Sequence, residues 1–250
     1  MPSPLAAEIG VNFARFDKEW PKDLTAARDV LAGSEKTFKE SYIRITSIQA
    51  WRTAVVLTKI DEGSTAFFFE AQNDFLVSHC MARCGSFRQA LKALRSAMEN
   101  IYFSMYYMDH RVELLKWEHG QHKIGFTELN TYFENHPLIQ SHGIQKTGLA
   151  SLKAEYATLS KAVHGSAKAF RMTQNLVDIK LWGNDAASAG MWAAREKAVI
   201  LAVNQLLLHL FQSYLVGTKY LGLRETIGLI IPKTQHAYFK SNLKISIPTT

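Results

Sequence analysis

The chain has 250 residues, of which 47% are hydrophobic and 20% charged, with only 6 prolines. That composition excludes a disordered or fibrous chain and leaves enough apolar material for a sizeable buried core. A formal charge of +7 favours acidic partners, nucleic acid first among them, although no dense Lys/Arg run concentrates it.

The opening stretch MPSPLAAEIGVNFARFDKEW lacks the basic start, unbroken apolar segment and cleavage site of a signal peptide, so a cytoplasmic location is expected. Residues 4–60 read as two or three helices, broken near Pro21 and again at Ala32, Gly33 and Ser34, with Ser34 as an N-cap. Gly63 and Ser64 open the next helix, which carries FFFEAQNDFLVSHCMARC up to Gly85. Cys80 and Cys84 stand one helical turn apart and cannot pair unless the helix breaks. A zinc site begun by His79, Cys80 and Cys84 would need a further Cys/His pair at metal spacing, which does not follow. Small buried residues in a reducing compartment are the expectation, and neither metal nor cofactor is implied.

Ser86 is placed to cap the most regular helix, with Phe87, Leu91, Leu94, Met98, Ile101, Met105 and Met108 at three- and four-residue steps. Arg88, Lys92, Arg95 and Glu99 form a separate stripe, with Asn100 beside it. Arg95 precedes Glu99 by four residues, the weaker orientation for helix support, which hints at another purpose. Beyond it, WEHGQHKIGFTELNTYFENHP holds histidines whose spacing matches no zinc pattern, with Thr127 as a helix cap and Pro137 at the helix end.

Residues 156–166, YATLSKAVHGS, end a helix with Leu152, Tyr156, Leu159 and Val163 on one apolar stripe and Lys153, Ala157, Ser160 and His164 on the next. His164 is therefore positioned either to face a groove or to sit as a favourable cation at a helix C-terminus that Gly165 caps. The last long helix is expected over residues 187–217. Asn204, Gln205, His209 and Gln212 interrupt its apolar run, which favours a central bundle helix over a membrane-disrupting effector. The tail IGLIIPKTQHAYFKSNLKISIPTT is expected to dock on the domain or on a partner.

The helix RQALKALRSAMENIYFSMYYMDH, the block WEHGQHKIGFTELNTYFENHP and LSKAVHGS together resemble the HEPN superfamily of prokaryotic defence and toxin systems. The resemblance implies an all-α helical bundle with additional N-terminal helices: an extension over residues 1–63, the bundle over 64–223 and a docking tail over 224–250, or all of it as one domain. It further implies a homodimer or higher homo-oligomer acting on or with RNA, or with a nucleic-acid-bearing protein, in a bacterial anti-phage or toxin-type system.

Active members of that superfamily are metal-independent ribonucleases with an Arg, four to six intervening residues and a His. Here the corresponding positions before His164 are Ala157, Thr158 and Leu159, so the motif is absent and a non-catalytic sensor or scaffold is expected. In the ribonuclease alternative, His164 is the acid/base, Lys161 or Arg95 the phosphate contact, and Glu99 and Asn100 the orienting groups. Ser160, Arg88 and Lys92 complete it as binding residues. Histidine suits both proton transfers of RNA transesterification, and a fixed cation is needed where charge builds on phosphate.

Overall fold

The computed structural model describes residues 4–166, 170, 182–183, 185–216 and 220–249. All the regular structure among them is helical, as the helical periodicity implies. In chain order the helices are α1 (Pro4–Leu31), α2 (Glu35–Trp51), α3 (Leu57–Lys59), α4 (Glu62–Arg83), α5 (Phe87–Asp109), α6 (Arg111–Glu118) and α7 (Phe126–Asn135). They continue with α8 (Pro137–Gln140), α9 (Leu149–His164), α10 (Ala186–Leu210), α11 (Gln212–Leu215), α12 (Leu221–Gly228) and α13 (Lys233–Tyr238). A short 3-10 turn (Ala32–Ser34) joins α1 to α2, and π-type turns at Arg52–Val56 and Phe239–Leu243 follow α2 and α13. Among the described residues no helix is long and apolar enough to cross a membrane.

The two helices singled out by their patterns are both central. α5 packs against α4, α9 and α10, while α10 packs against α2, α5 and α9. Leu94, Met98, Ile101 and Met105 of α5 are fully enclosed, which is what an apolar residue at every third or fourth position accomplishes when the helix has neighbours along its length. One hydrophobic cluster runs from Leu31 to Ile247, so α2 and the tail share the core of α4, α5 and α10.

Two helix ends show why glycine is needed locally. At the end of α4, Gly85 takes φ +76° while its N–H donates to the Ala82 carbonyl and the Ser86 N–H to that of Met81. At the end of α9, Gly165 takes φ +63° with the same pair of bonds, to Ala162 and from Ser166 to Lys161. This double bond closes the last turn and requires a left-handed residue, where a side chain is strained. At Gly85 an added Cβ would also meet the Gly183 backbone, whose N–H donates to the Gly85 carbonyl at 2.7 Å.

Several boundaries differ from the sequence expectation. α1 continues through Pro21 instead of breaking there. The helix is exposed around that point, so the carbonyl that loses its partner to proline is left to water, and Thr25 Oγ1 donates to the Pro21 carbonyl at 3.0 Å. α4 starts at Glu62, one residue earlier than Gly63 suggests. Asp61 is its N-cap, accepting from the Ser64 N–H at 3.0 Å and from the Ser64 hydroxyl at 2.9 Å. Ser34 and Ser86 stand at N-cap positions but make no side-chain cap bond. Gly125, not Thr127, is the N-cap of α7, its N–H held by the Glu128 carboxylate at 2.7 Å. Pro137 does divide two helices, as the first residue of α8. α10 ends at Leu210 and α11 takes up the chain from Gln212; the expected end at residue 217 lies outside the described residues.

Candidate functional site

α5 and α9 lie side by side in opposite directions, so the N-terminal turn of α5 meets the C-terminal turn of α9. Arg88 marks that junction: its Nε donates to the Ala162 carbonyl at 3.3 Å and its Nη2 to the Val163 carbonyl at 3.0 Å. The guanidinium thus shares the Ala162 carbonyl with the Gly165 N–H, bonds the Val163 carbonyl as well, and sits at the negative end of the α9 dipole. His164 is exposed at that same end and has no hydrogen-bond partner among the described residues. Lys161 is exposed and Lys92 half-buried.

About two turns along the seam, Arg95 Nη2 donates to Tyr156 Oη at 2.6 Å and to Glu99 Oε1 at 3.1 Å, and Tyr156 Oη donates to Glu99 Oε1 at 2.7 Å. The three groups close a triangle over which Phe126 of α7 stacks, parallel to the Tyr156 ring within 7°. Burial first, and then the hydrogen bond to Glu99, push the Tyr156 phenol upward, while Arg95 opposes them. The phenol accordingly remains a donor.

The predicted residues are therefore only partly brought together. Arg95 and Glu99 meet, with Tyr156 as an unforeseen third member. Asn100 turns to the other side of α5 and donates to Asp74 Oδ2 on α4 at 2.9 Å. Ser160 donates back to the Tyr156 carbonyl at 2.8 Å, a local helix bond.

A second constellation, which the sequence reading passed over, forms where α2, α4 and α10 converge. Glu196 of α10 is wholly enclosed, and its Oε2 takes Nε and Nη2 of Arg44 at 2.7 and 2.6 Å. Its Oε1 accepts from the Ser41 hydroxyl at 3.1 Å. Ser41 Oγ also lies 3.0 Å from His79 Nδ1. With the serine proton directed at the carboxylate, the histidine is the donor in that last contact, and the proton resides on Nδ1. Burial foremost, then the positive charges of Arg83 and Arg44, lower the His79 pKa and hold the ring neutral. Burial likewise pushes the Glu196 carboxyl up, against the pull of Arg44 and Ser41.

His79 forms the floor of a cavity of about 220 Å³ whose other walls are Glu35, Phe38, Lys39 and Tyr42 of α2 and Arg83 of α4. Phe38 and Trp192 approach the imidazole at 6.0 and 6.2 Å between ring centroids, and the Arg83 guanidinium lies 5.9 Å from the Phe38 ring. Cys80 is exposed and Cys84 half-buried, both free thiols. Among the described residues no group of three His, Cys, Asp or Glu side chains is placed to hold a metal.

A sequence signal for this network does exist. Ala189, Trp192, Glu196, Val199 and Val203 share one face of α10, and a carboxylate in the middle of a buried stripe demands a buried cation. Which cation supplies it is not readable, because Arg44 lies 152 residues away. Compared with known proteins, the chain matches no family model, no curated protein sequence and no solved structure.

Proposed function

We propose that this chain is a HEPN-like protein of a bacterial anti-phage or toxin-type system that holds RNA, or a partner bearing it, at the α5–α9 seam without cutting it. The observation that supports binding over cleavage is the engagement of the arginines. Arg95 is held by Glu99 and Tyr156, and Arg88 by the α9 carbonyls, so among the described residues the exposed His164 ring has no fixed cation directed at a phosphate beside it. Transesterification needs that cation where charge develops. Arg88 meets no acidic partner among the described residues, and Lys92 and Lys161 add their charge beside it, which suits contact with a phosphate backbone.

Self-association belongs to the same reading, with a second copy as the partner. In α1 the residues Ile9, Phe13, Phe16 and Trp20 repeat at four- and three-residue steps and are exposed, 66% in the case of Phe13. This is the spacing of a helix-pairing seam. The acids and bases of α1 nearly balance, so a like helix is a better match than an anionic membrane surface.

The test is incubation of the purified chain with total RNA in the absence of metal, beside His164→Ala. Retention of RNA that weakens as salt rises is expected, with no cleavage and no difference between the two proteins. Cleavage by the wild type that His164→Ala abolishes would overturn the non-catalytic reading. Absence of retention at low salt would overturn the RNA reading itself.

A further inference from the structure

The cavity over His79 has the construction of a ligand site. Two buried histidines, His79 and His209, allow the comparison. His209 is satisfied on both sides: Nδ1 stands 2.7 Å from the Gln205 carbonyl and Nε2 3.2 Å from Tyr238 Oη. This is how a histidine looks when its role is to complete a core. His79 is held on one side only. Glu196 and Ser41 fix the proton on Nδ1, which leaves the Nε2 lone pair without a partner among the described residues, on a ring that lines an open cavity.

The walls specify what that lone pair can meet. A neutral imidazole with a bare Nε2 accepts hydrogen bonds and repels a bare anionic oxygen, so the group lying against it must be a donor. Lys39 and Arg83 outnumber Glu35 at the cavity walls, so the same ligand carries negative charge toward them. Phe38 and Tyr42 supply an apolar side between the two ends. A volume of about 220 Å³ is below the roughly 300–1,000 Å³ of pockets that take drug-sized molecules, which limits the occupant to a compact one.

We infer that the cleft between α2 and α4 binds a small hydroxylated anion, its acid group against Lys39 and Arg83 and its hydroxyl donating to His79 Nε2. The acid is a phosphate or a carboxylate, and the relay from Glu196 through Ser41 keeps the histidine in the accepting form. The site is separate from the α5–α9 seam and stands whether or not the chain binds RNA. In this assignment His79, Lys39 and Arg83 touch the ligand, whereas Ser41, Arg44 and Glu196 position the imidazole.

Calorimetric titration of the full chain tests it with four probes: glycerol 3-phosphate, glycerate, glycerol and inorganic phosphate. Saturable binding is expected for glycerol 3-phosphate or glycerate, and which of the two binds tells phosphate from carboxylate. Glycerol should give no binding, and inorganic phosphate should bind about tenfold more weakly than the better hydroxylated anion, because it lacks the carbon-bound hydroxyl. Arg83→Gln should weaken the hydroxylated anion by about tenfold or more at an unchanged unfolding midpoint. His79→Leu, which removes the acceptor, should take away its advantage over inorganic phosphate, a change that a purely structural histidine would not produce. If that variant does not fold, Arg83→Gln and the four-probe comparison decide alone. Failure of both hydroxylated anions to bind the wild type, equal binding to wild type and Arg83→Gln, or inorganic phosphate binding as tightly as the better of the two would each overturn the assignment. Both variants leave Lys92, Lys161 and Arg88 intact, so RNA retention in the preceding test is read independently.

Discussion

The polar residues of α10 and those of the α5–α9 seam are built to different standards. Along α10, Glu196, Asn204, Gln205 and His209 are buried, and each is partnered from a distant part of the chain: Arg44 and Ser41, Trp51 and Ser47, Gln235, and Tyr238 respectively. Along the seam, Arg95, Glu99 and Tyr156 bond one another in a half-exposed triangle, while Lys92, Lys161 and His164 have no protein partner among the described residues. A buried polar atom that lacks a partner loses its water without replacement, so burial enforces a nearly complete set of bonds. At the surface water substitutes for any missing partner, and side chains stay available to a ligand. Beside the buried row, His79 of α4, bonded among the described residues through Nδ1 alone and lining a cavity, is therefore the informative histidine.

Glu196→Ala should have the largest effect. Removing the carboxylate strands the Arg44 guanidinium, which is 9% exposed, and leaves Ser41 without its acceptor. A loss of about 3–5 kcal/mol in unfolding free energy is expected from denaturant titration. A loss below about 1 kcal/mol, the size of an exposed pair, would mean the buried row is no more demanding than the seam.

A pH series is the second probe. Burial is the main cause that pushes His209 down to about 4, from an ordinary value of 6.5. The unfolded chain therefore takes up a proton below about pH 6.5 that the folded chain refuses until about pH 4. Stability from this group is complete above that window and falls through it as the pH drops, by about 3 kcal/mol in total. His79, also lowered, acts in the same direction. Unfolding free energies at pH 7 and pH 4.5 should differ less in His209→Gln than in the wild type; equal differences would show that the ring is hydrated or charged in the fold.

The smallest effect belongs to the seam. A double-mutant cycle on Arg95→Ala and Glu99→Ala should give a coupling of about 0.2–1 kcal/mol, since both side chains retain solvent contact. A coupling above about 2 kcal/mol would put the triangle in the same class as the Glu196 network and remove the distinction on which the comparison rests.

Much of the architecture was legible without coordinates because it is local. The three- and four-residue steps from Phe87 to Met108 set the buried face of α5, and the polar interruptions Asn204, Gln205 and His209 marked α10 as a central helix. Gly165 announced a left-handed helix end, and it is one, at φ +63°. Local rules also misled where competing groups were close at hand. Asp61 outcompeted the Gly63–Ser64 start because a carboxylate one residue upstream of α4 reaches the free Ser64 N–H, and Pro21 did not end α1 because water stands in for the lost bond.

The sites divide along the same physical line. Arg95 and Glu99, four residues apart on one helix, were readable as neighbours from the helical repeat alone, and His164 as the last residue of its helix. That Tyr156 completes the triangle depends on how α9 packs against α5, and that Asn100 faces Asp74 depends on α4. The Glu196, Arg44, Ser41 and His79 network spans three helices and sequence separations of 38 to 155 residues. No repeat or local propensity encodes such a meeting. The amino-acid sequence by itself determined which residues form helices and which faces turn inward, because those follow from backbone hydrogen bonding and apolar burial within one element. Only the packing of α2, α4 and α10 decided which buried charges meet, because their desolvation is balanced by partners that the tertiary fold alone brings within reach.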